Sequence, residues 1–256
     1  MKCVILAGGK GTRLAEETAS RPKPMVWIGD RPILWHIMKM YSAHGVNEFI
    51  VCLGYMGYFI KEYFSNYYLH NADVTFDMAN NTVVYHTHRN EPWKVTLVDT
   101  GLETMTGGRL RRVATYLDET ETFCMTYGDG VANIDISAVI AFHRAKGRRA
   151  TMTCVRPAAR FGHVTIDDDK ATSFTEKPLN EGGFINGGFF VLQPSALEYC
   201  TADDTIWERD PLNRLASTNE LSAWIHQGFW QPMDTLRDRV LLEDLWNRDK
   251  APWKIW

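Results

Sequence analysis

Residues 3–14 read Cys-Val-Ile-Leu-Ala-Gly-Gly-Lys-Gly-Thr-Arg-Leu. The five apolar residues that begin this stretch indicate a central strand of a parallel sheet, because such strands are buried on both faces. The glycines that follow allow a sharp turn and let backbone N–H groups approach a ligand closely. Lys10 and Arg13 add positive charge beside that turn, so the stretch predicts a loop that binds phosphate.

The segments after this strand predict an α/β fold. Apolar runs alternate with helical patterns, which is typical of a doubly wound, Rossmann-like sheet with helices on both faces in three layers. Toward the C-terminus the runs become shorter and alternate, which indicates a small antiparallel or mixed part. The predicted strands are 3–7, 48–54, 95–99, 123–127, 150–155, 161–166, 171–175 and 183–192, the predicted helices are 32–44, 58–68, 109–117, 134–146, 197–216 and 235–246, and a hairpin or long loop is expected within 71–93.

The composition is ordinary for a globular protein of 256 residues, with 45% hydrophobic and 23% charged residues. A net charge of −3 gives no overall field that favours nucleic acid. The five cysteines form no Cys-x-x-Cys pair, so we expect reduced thiols in a cytoplasmic protein without a signal peptide. No apolar run approaches 18 residues, and no membrane span is expected.

The glycine-rich loop does not fit the two commonest nucleotide-binding patterns. A Walker A loop ends in Gly-Lys-Ser/Thr, whereas residues 11–13 read Gly-Thr-Arg. A dinucleotide fingerprint needs a third glycine where Leu14 stands, and an acidic residue after the second strand, where Gly54 stands. Two interpretations remain: a loop whose arginine meets phosphates, or a tight turn that binds no ligand.

Two charged residues lie where a ligand would need them. Lys23 stands between Pro22 and Pro24, which hold its backbone on a stiff segment. Asp129 stands between two glycines at the end of the predicted strand 123–127. Ligands of open α/β sheets bind at the carboxyl ends of strands, so we interpret both residues as functional candidates.

Two other clusters have a plainer structural interpretation. His86 and His88 lie on one face of a predicted strand, but no third metal ligand is near them in the sequence. Residues 167–169 are three aspartates, similar to the acidic motif of metal-dependent glycosyltransferases. The alternating segments on either side of them favour a solvated hairpin turn instead.

Six short motifs follow one another along the chain. They are residues 8–14, Arg21-Pro22-Lys23-Pro24, Tyr127-Gly128-Asp129-Gly130, Glu176-Lys177-Pro178, Ile185-Asn186-Gly187-Gly188 and Met233-Asp234-Thr235. This set, which covers nearly the whole chain in order, resembles the signature of sugar-nucleotide pyrophosphorylases, which share the nucleotide-diphospho-sugar transferase fold. Two further details, Leu-Glu-Thr-Met-Thr-Gly-Gly-Arg at 102–109 and Trp-Lys-Ile-Trp at 253–256, are similar to the glucose-1-phosphate cytidylyltransferases within that family.

The resemblance implies a Mg²⁺-dependent transfer of CMP from CTP to α-D-glucose 1-phosphate, giving CDP-glucose and pyrophosphate. It also implies a place at the first step toward CDP-linked dideoxyhexoses of the O-antigen of lipopolysaccharide. The attacking phosphate oxygen is already anionic, so cations are needed rather than a general base. The alternatives are a thymidylyl- or uridylyltransferase, a glycosyltransferase that uses a nucleotide sugar, and a regulatory homologue without turnover.

The resemblance also implies roles for individual residues. Arg13 contacts the triphosphate, and Lys23 holds the α-phosphate. Asp129 and Asp234 bind Mg²⁺, for which hard carboxylate oxygens are suitable ligands. The implied catalytic residues are therefore Arg13, Lys23, Asp129 and Asp234.

For the substrates, the resemblance assigns Lys177 to the sugar phosphate, Glu176 and Asn186 to sugar hydroxyls, and Thr104 and Arg109 to the pyrimidine. An arginine can donate to the O2 and N3 acceptors of cytosine. The full substrate-binding set is Leu6, Ala7, Gly8, Gly9, Lys10, Gly11, Thr12, Arg13, Lys23, Thr104, Arg109, Gly128, Glu176, Lys177, Asn186 and Gly187.

We interpret residues 1–256 as one nucleotidyltransferase domain. Residues 1–135 mainly form the nucleotide-binding half, and residues 136–256 mainly form the sugar-phosphate half and an oligomerisation tail. The tryptophan-rich C-terminal part is expected to pack on the body of the domain or on another subunit. With the family resemblance, this tail predicts a homo-oligomer, for which a hexamer is one candidate.

Overall fold

The computed structural model describes residues 1–86, 90–157, 163–167, 170–175 and 183–256, which are called the described residues below. The strands β1 to β15 are Lys2–Leu6, Trp27–Ile28, Arg31–Pro32, Glu48–Leu53, Val74–Asp77, Thr82–Tyr85, Lys94–Asp99, Phe123–Tyr127, Gly130–Ala132, Ala150–Val155, His163–Asp167, Lys170–Thr175, Ile185–Leu192, Leu221–His226 and Trp230–Pro232. The helices α1 to α8 are Ala15–Thr18, Ile33–Ala43, Gly57–Ser65, Tyr67–His70, Thr106–Val113, Ile136–Lys146, Asp210–Ser217 and Leu236–Asn247.

The central sheet contains seven strands among the described residues, in the order β14-β10-β13-β8-β1-β4-β7. The strands β8, β1, β4 and β7 run parallel to one another. Strand β13 is antiparallel to both β8 and β10, and β14 is parallel to β10. The predicted doubly wound, mixed sheet is confirmed.

Strand β1 is buried on both faces, as its unbroken apolar run predicts. Cys3 and Ile5 belong to one hydrophobic core, and Val4 and Leu6 belong to the other. Helices α2, α6 and α8 supply side chains to the first core, and helices α5 and α7 supply side chains to the second. The sheet therefore lies between two helical layers, and the predicted three-layer arrangement is confirmed.

The connections leave β1 toward one edge of the sheet and return to its other side. The chain passes from β1 to β4 and β7, and then returns to β8, which pairs with β1 on the opposite side. Ligands of open α/β sheets bind outside the carboxyl ends of the strands at such a reversal. The ends of β1 and β8, and the loops that follow them, are thus the expected place for a site.

Three predicted helices have different bounds in the structure. The helix predicted over 58–68 is divided into α3 and α4 at Asn66. The helix predicted over 109–117 begins earlier, at Thr106. The helix predicted over 197–216 is wrong in its first half, because a 3-10 helix over Pro194–Tyr199 and a series of turns precede α7. Strand β14 was not predicted.

The contact between the start of α5 and residues 203–205 explains two of these differences. The Thr205 carbonyl accepts hydrogen bonds from the Gly107 and Gly108 amides, and the Asp203 carbonyl accepts one from the Met105 amide. A Cβ on Gly108 would collide with the Asp203 carbonyl oxygen. Glycine therefore lets α5 start against a turn, and the same contact holds residues 203–205 out of a helix.

The C-terminal tryptophans pack on the body of the domain, around a fully buried histidine of α2. The His36 Nε2 atom lies 2.9 Å from the Ile28 carbonyl oxygen, and Trp253 Nε1 donates to His36 Nδ1 at 3.4 Å. The rings of Trp246 and Trp256 also contact the imidazole. These contacts fix a neutral imidazole, with its proton on Nε2, under the C-terminal segment.

Acidification is expected to destabilise this packing. Burial lowers the pKa of His36 to about 4, and burial also lowers the pKa of His143 to about 4. A histidine of the unfolded chain has a pKa near 6.5, so the unfolded state binds more protons between these values. The free energy of unfolding should therefore fall as the pH drops from 6.5 toward 4, by up to ~1.4 kcal/mol per pH unit from His36.

Urea unfolding at several pH values between 4 and 7 measures this slope. His36→Gln keeps an N–H donor and an acceptor but no titrating group, so its slope should be shallower than that of the wild type. His70→Gln replaces an exposed histidine and serves as the control. An unchanged slope in the His36 variant would show that the imidazole does not cause the pH dependence.

No helix within the described residues is both long and apolar enough to cross a membrane.

Candidate active site

A buried lysine lies at the centre of the site. Lys23 begins a 3-10 helix over Lys23–Met25, and the preceding Pro22 is extended, as the pair of prolines predicts. Its ammonium group donates to Asp129 Oδ2 at 2.7 Å and to Asp234 Oδ1 at 2.7 Å. Residues far apart in the sequence therefore meet around a single nitrogen atom.

A two-stranded ribbon brings the two carboxylates together. Strands β9 and β15 pair antiparallel, with Gly130 opposite Pro232. The Met233 amide also donates to the Asp129 carbonyl oxygen at 2.8 Å. Asp129 immediately precedes one strand of this ribbon and Asp234 closely follows the other, so the ribbon places both side chains beside Lys23.

The start of α8 fixes the position of Asp234. Thr235 is the N-cap, and its hydroxyl accepts from the Asp238 amide. Asp238 Oδ2 accepts in return from the Thr235 amide at 2.8 Å and from the Asp234 amide at 3.2 Å. This capping box holds the backbone of Asp234 rigidly. Arg13, which is largely exposed, then donates from Nη1 to Asp234 Oδ2 at 2.8 Å.

The charges of these groups stabilise one another. Burial alone would lower the pKa of Lys23, but the Asp129 and Asp234 carboxylates outweigh burial and raise it. Lys23 is only 7% exposed, so its charge is held by the carboxylates rather than by water. The site therefore keeps two cations and two carboxylates in contact, ready to exchange partners with a charged ligand.

The two carboxylates fit a magnesium ion of the kind that binds with a phosphate. Asp129 and Asp234 each direct an oxygen at one point, where the Lys23 ammonium now lies. Mg²⁺ in phosphate-transferring sites uses one or two carboxylates and completes its octahedron with phosphate oxygens and water. The described residues contain no group of three or more His, Cys, Asp or Glu that could hold a metal.

Two cavities meet at this charged cluster. The first, of about 360 Å³, is called the loop cavity because the glycine-rich loop lines it. The second, of about 340 Å³, is called the ribbon cavity because β9 and β15 line it. Arg13, Tyr127 and Asp129 line both. Each volume lies in the range of ligand pockets, roughly 300–1,000 Å³.

Most of the predicted site residues line these cavities. The charged cluster thus stands between two groups of predicted binding residues. Those in the loop cavity are Leu6, Ala7, Gly8, Gly9, Gly11, Thr12, Arg13, Lys23, Thr104, Arg109, Gly128 and Asp129, and those in the ribbon cavity are Arg13, Asp129, Asn186, Gly187 and Asp234.

Lys10 has a different partner. Its ammonium donates to Glu103 Oε1 at 2.8 Å, which joins the glycine-rich loop to the segment before α5. Both side chains are at least half exposed, so the pair contributes little to stability. A triphosphate in the loop cavity could replace Glu103 as the partner of Lys10.

Arg109 directs its guanidinium at the protein itself. Nη1 donates to the Leu53 and Gly101 carbonyl oxygens and to Thr100 Oγ1, at 2.7–2.9 Å. Nη2 donates to the carbonyl oxygens of Gly8, at 3.1 Å, and Leu102, at 3.3 Å. The side chain thus joins the carboxyl ends of β1, β4 and β7 beneath the loop cavity. That Arg109 also donates to a base remains a prediction.

The absence of a side chain at Gly8 makes this arrangement possible. A Cβ on Gly8 would overlap the Arg109 guanidinium. Burial lowers the pKa of Arg109, and the surrounding oxygen atoms replace the water that its charge loses. The first glycine of the motif is therefore required by the protein, independently of any ligand.

Arg109→Lys is expected to loosen the glycine-rich loop. A lysine ammonium cannot reach all five oxygen atoms, so buried acceptors lose their donor, at a cost of roughly 1–3 kcal/mol for each one left unpaired. The free energy of unfolding should fall and the KM for the nucleotide should rise. Arg111→Lys is the matched control, because Arg111 lies on the same helix and pairs with the half-buried Asp203. Equal effects of the two substitutions would contradict the anchoring role.

Asn186 is oriented within the ribbon cavity. Its Oδ1 atom accepts from the Gly188 amide at 2.8 Å, and its Nδ2 atom donates to the Tyr127 hydroxyl at 3.4 Å. The neighbouring Gly187 carbonyl accepts from Trp230 Nε1 at 2.7 Å. The start of β13 is thereby fixed against β8 and β15.

The sequence pattern of the nucleotidyl transferase family matches residues 2–222. The chain belongs to that family. It is also 60% identical to the glucose-1-phosphate cytidylyltransferases of Salmonella typhi and Salmonella typhimurium, over 256 residues that cover all of this chain and all of each relative. The crystal structure of HddC from Yersinia pseudotuberculosis has the same fold, with a TM-score of 0.70, 24% identity and coverage of 96% of this chain and 99% of that one.

The predicted resemblance and the nucleotide-diphospho-sugar transferase type of fold are thereby confirmed for this nucleotidyltransferase. Glu176 and Lys177, together with His88, Asp168 and Asp169, lie outside the described residues. Strands β11 and β12 pair antiparallel, with Asp167 opposite Lys170 in the register, as expected for the predicted hairpin.

Sequence reasoning missed several residues that line the cavities of this nucleotidyltransferase, among them Tyr127, Trp230 and Glu208. Tyr127 stood inside a quoted motif, but only its neighbour Asp129 was assigned a role. Trp230 precedes the Met-Asp-Thr motif by three residues, which was a usable signal. Glu208 lies in the turns before α7, where a helix was predicted, and no motif marks it.

Proposed function

We propose that this nucleotidyltransferase transfers CMP from CTP to α-D-glucose 1-phosphate, forming CDP-glucose and releasing pyrophosphate. The observation that carries the proposal is the Lys23 ammonium, which two carboxylates hold where the loop and ribbon cavities meet. A reacting phosphate lying between two bound substrates would meet this cluster. The names of the full-length relatives at 60% identity support the choice of cytidine and glucose.

The reaction is an in-line displacement at the α-phosphorus of CTP. An oxygen of glucose 1-phosphate forms the new bond to phosphorus as the bond to pyrophosphate breaks. The attacking oxygen is an anion, so no side chain has to remove a proton. The task of the protein is to bring two polyanions together and to stabilise the charge on the equatorial oxygens.

Arg13 and Lys23 are suited to that task. Lys23 is buried and held at its ammonium, so it presents a positioned charge to the α-phosphate without further ordering. Arg13 is largely exposed and lines both cavities, where its planar guanidinium suits the departing β- and γ-phosphates. In both cases the ligand phosphate replaces a carboxylate as the partner.

We propose Mg²⁺ as the cofactor, held by Asp129 and Asp234. When bound, the ion supplies positive charge that polarises the phosphoryl oxygens and neutralises the leaving pyrophosphate. Two carboxylates of the described residues, aimed at one point, support this assignment.

The two cavities suggest the placement of the substrates. The loop cavity, with its backbone-lined loop, is proposed for the nucleotide, and the ribbon cavity, with Asn186, is proposed for the sugar. This follows the proposed division of one domain into a nucleotide-binding half, residues 1–135, and a sugar-phosphate half, residues 136–256. Asp129 and Asp234 come from different halves, so the reaction would take place between them.

Incubation of the purified protein with glucose 1-phosphate, Mg²⁺ and each nucleoside triphosphate in turn tests the proposal. CTP should give the highest kcat/KM, with equal amounts of pyrophosphate and CDP-glucose. Faster turnover of dTTP or UTP would overturn the choice of base. Sugar transfer from a nucleotide sugar without pyrophosphate release would place the protein among glycosyltransferases.

We further propose a cytoplasmic homo-oligomer, for which a hexamer is one candidate, that supplies CDP-glucose for the O-antigen of lipopolysaccharide. The free cysteines of the described residues, all buried, support a reducing compartment. Exposed apolar side chains on the β5–β6 hairpin, including Phe76 and Met78, support assembly. Sedimentation velocity measures the oligomeric state.

A further inference from the structure

A tyrosine and a glutamate form the wall between the loop and ribbon cavities. Tyr127 ends β8 and lines both cavities, while Glu208 lines the ribbon cavity. The Tyr127 hydroxyl donates to Glu208 Oε1. The other carboxylate oxygen, Oε2, accepts from the Thr106 hydroxyl at 2.7 Å. Glu208 thus connects the first residue of α5 with the end of β8.

The carboxylate determines the direction of every hydrogen bond in this group. A carboxylate can only accept, so both hydroxyls must donate to it. The Thr106 oxygen is then free to accept, and it receives the Trp207 amide at 2.9 Å. Burial raises the pKa of Tyr127, with the charge of Glu208 adding to the effect, so the phenol stays protonated.

The hydrogen-bond directions set by Glu208 also extend to Asn186. Because the Tyr127 proton points at Glu208, the Tyr127 oxygen acts as an acceptor toward the ribbon cavity, and Asn186 Nδ2 donates to it at 3.4 Å. The Gly188 amide holds the other end of the Asn186 amide group. The second Nδ2 hydrogen of Asn186 has no partner among the described residues, so it is left for a ligand hydroxyl and its direction is fixed.

We propose that Glu208 is a positioning residue for sugar recognition, acting through Tyr127 and Asn186. The inference rests on the proposed function and adds to it a residue that determines sugar specificity. This chain of hydrogen bonds offers a bound hexose one donor of fixed direction. The wall beside it cannot rotate to fit another epimer. A site of directed polar groups rejects a substrate whose hydroxyl is misplaced, because a buried partner is then left unpaired.

Glu208→Gln removes the fixed hydrogen-bond directions with little change in the shape of the side chain. A carboxamide has one acceptor oxygen and a new N–H donor, so it cannot accept from both hydroxyls as the carboxylate does. We expect the KM for glucose 1-phosphate to rise about ten-fold and the preference for glucose over galactose or mannose 1-phosphate to fall by a similar factor. The KM for CTP should stay near its wild-type value, since α5 keeps its contacts with Thr205.

Two further variants separate positioning from general structure. Tyr127→Phe removes the hydroxyl and should reproduce the loss of sugar preference. The double variant should be no worse than Tyr127→Phe alone, because both changes break one chain. Glu198→Gln is the control, since Glu198 is exposed and pairs with Arg149 away from the cavities.

Each outcome decides the inference. Lost sugar preference in both single variants, without additivity in the double variant, supports it. Unchanged preference with parallel changes in both KM values, or additive effects in the double variant, overturns it. If the wild type turns over another nucleotide and not CTP, the proposed function fails. The same comparison is then made with that nucleotide, so the two failures are distinguished.

Discussion

Lys23→Ala is expected to lower kcat by at least ~100-fold, the scale for losing one preorganised charge at a transition state. The ammonium is buried, and two carboxylates hold it at the junction of the two cavities. It is therefore positioned before any substrate arrives, and its contribution grows as charge accumulates on the phosphoryl oxygens. The rate of pyrophosphate release at saturating substrates measures kcat.

A second readout separates the phosphate role of Lys23 from a role in folding. Without the ammonium, Asp129 and Asp234 face each other with no shared cation, so Mg²⁺ should bind the substrate-free variant more tightly than the wild type in calorimetry. Lys94→Ala is the control, because Lys94 is largely exposed and 3.7 Å from Glu48. A kcat within a few-fold of the wild type would refute the catalytic role.

The sheet could be predicted because its signals are local. The apolar run before the glycines places β1 at the centre, and the structure confirms burial on both faces. The failure over residues 197–209 has a long-range cause. Leu197, Cys200 and Trp207 have a spacing compatible with a helix, but the Thr205 carbonyl is engaged by amides of α5, about a hundred residues earlier in the chain.

The charged residues of the site could be named because they stand in short motifs, but their contacts could not be. Nothing in the sequence shows that one lysine meets both aspartates, since the β9–β15 ribbon makes that meeting possible. Glu208 was missed for the same reason. Its partners Tyr127 and Thr106 are 81 and 102 residues away, and no local pattern marks such contacts.

Arg109 shows a different limit. The resemblance assigned it to the pyrimidine, and the structure adds that its donors meet oxygen atoms from the ends of several strands. A buried guanidinium needs acceptors from somewhere, and only the assembled sheet shows that the protein supplies them. The arginine itself was informative, but its hydrogen-bond partners depended on the topology of the sheet.

Asp129→Asn and Asp234→Asn should each lower Mg²⁺-dependent turnover by ~10³-fold or more, since a catalytic metal supplies several kcal/mol of charge stabilisation. The change is nearly isosteric, and the remaining carboxylate still pairs with Lys23, so the fold should persist. Calorimetry should show weaker Mg²⁺ binding in the presence of CTP, and circular dichroism should be unchanged. Asp210→Asn, at an exposed pair with Arg214 on α7, is the matched control.

The two variants should differ in one respect. Asp234 holds both Lys23 and Arg13, whereas Asp129 holds Lys23. Removing the charge of Asp234 therefore releases Arg13 as well, and the KM for CTP should rise more in that variant than in Asp129→Asn. Normal metal dependence in either variant would show that the two carboxylates do not share a metal. Equal KM values for CTP would show that Asp234 does not position Arg13 for the triphosphate.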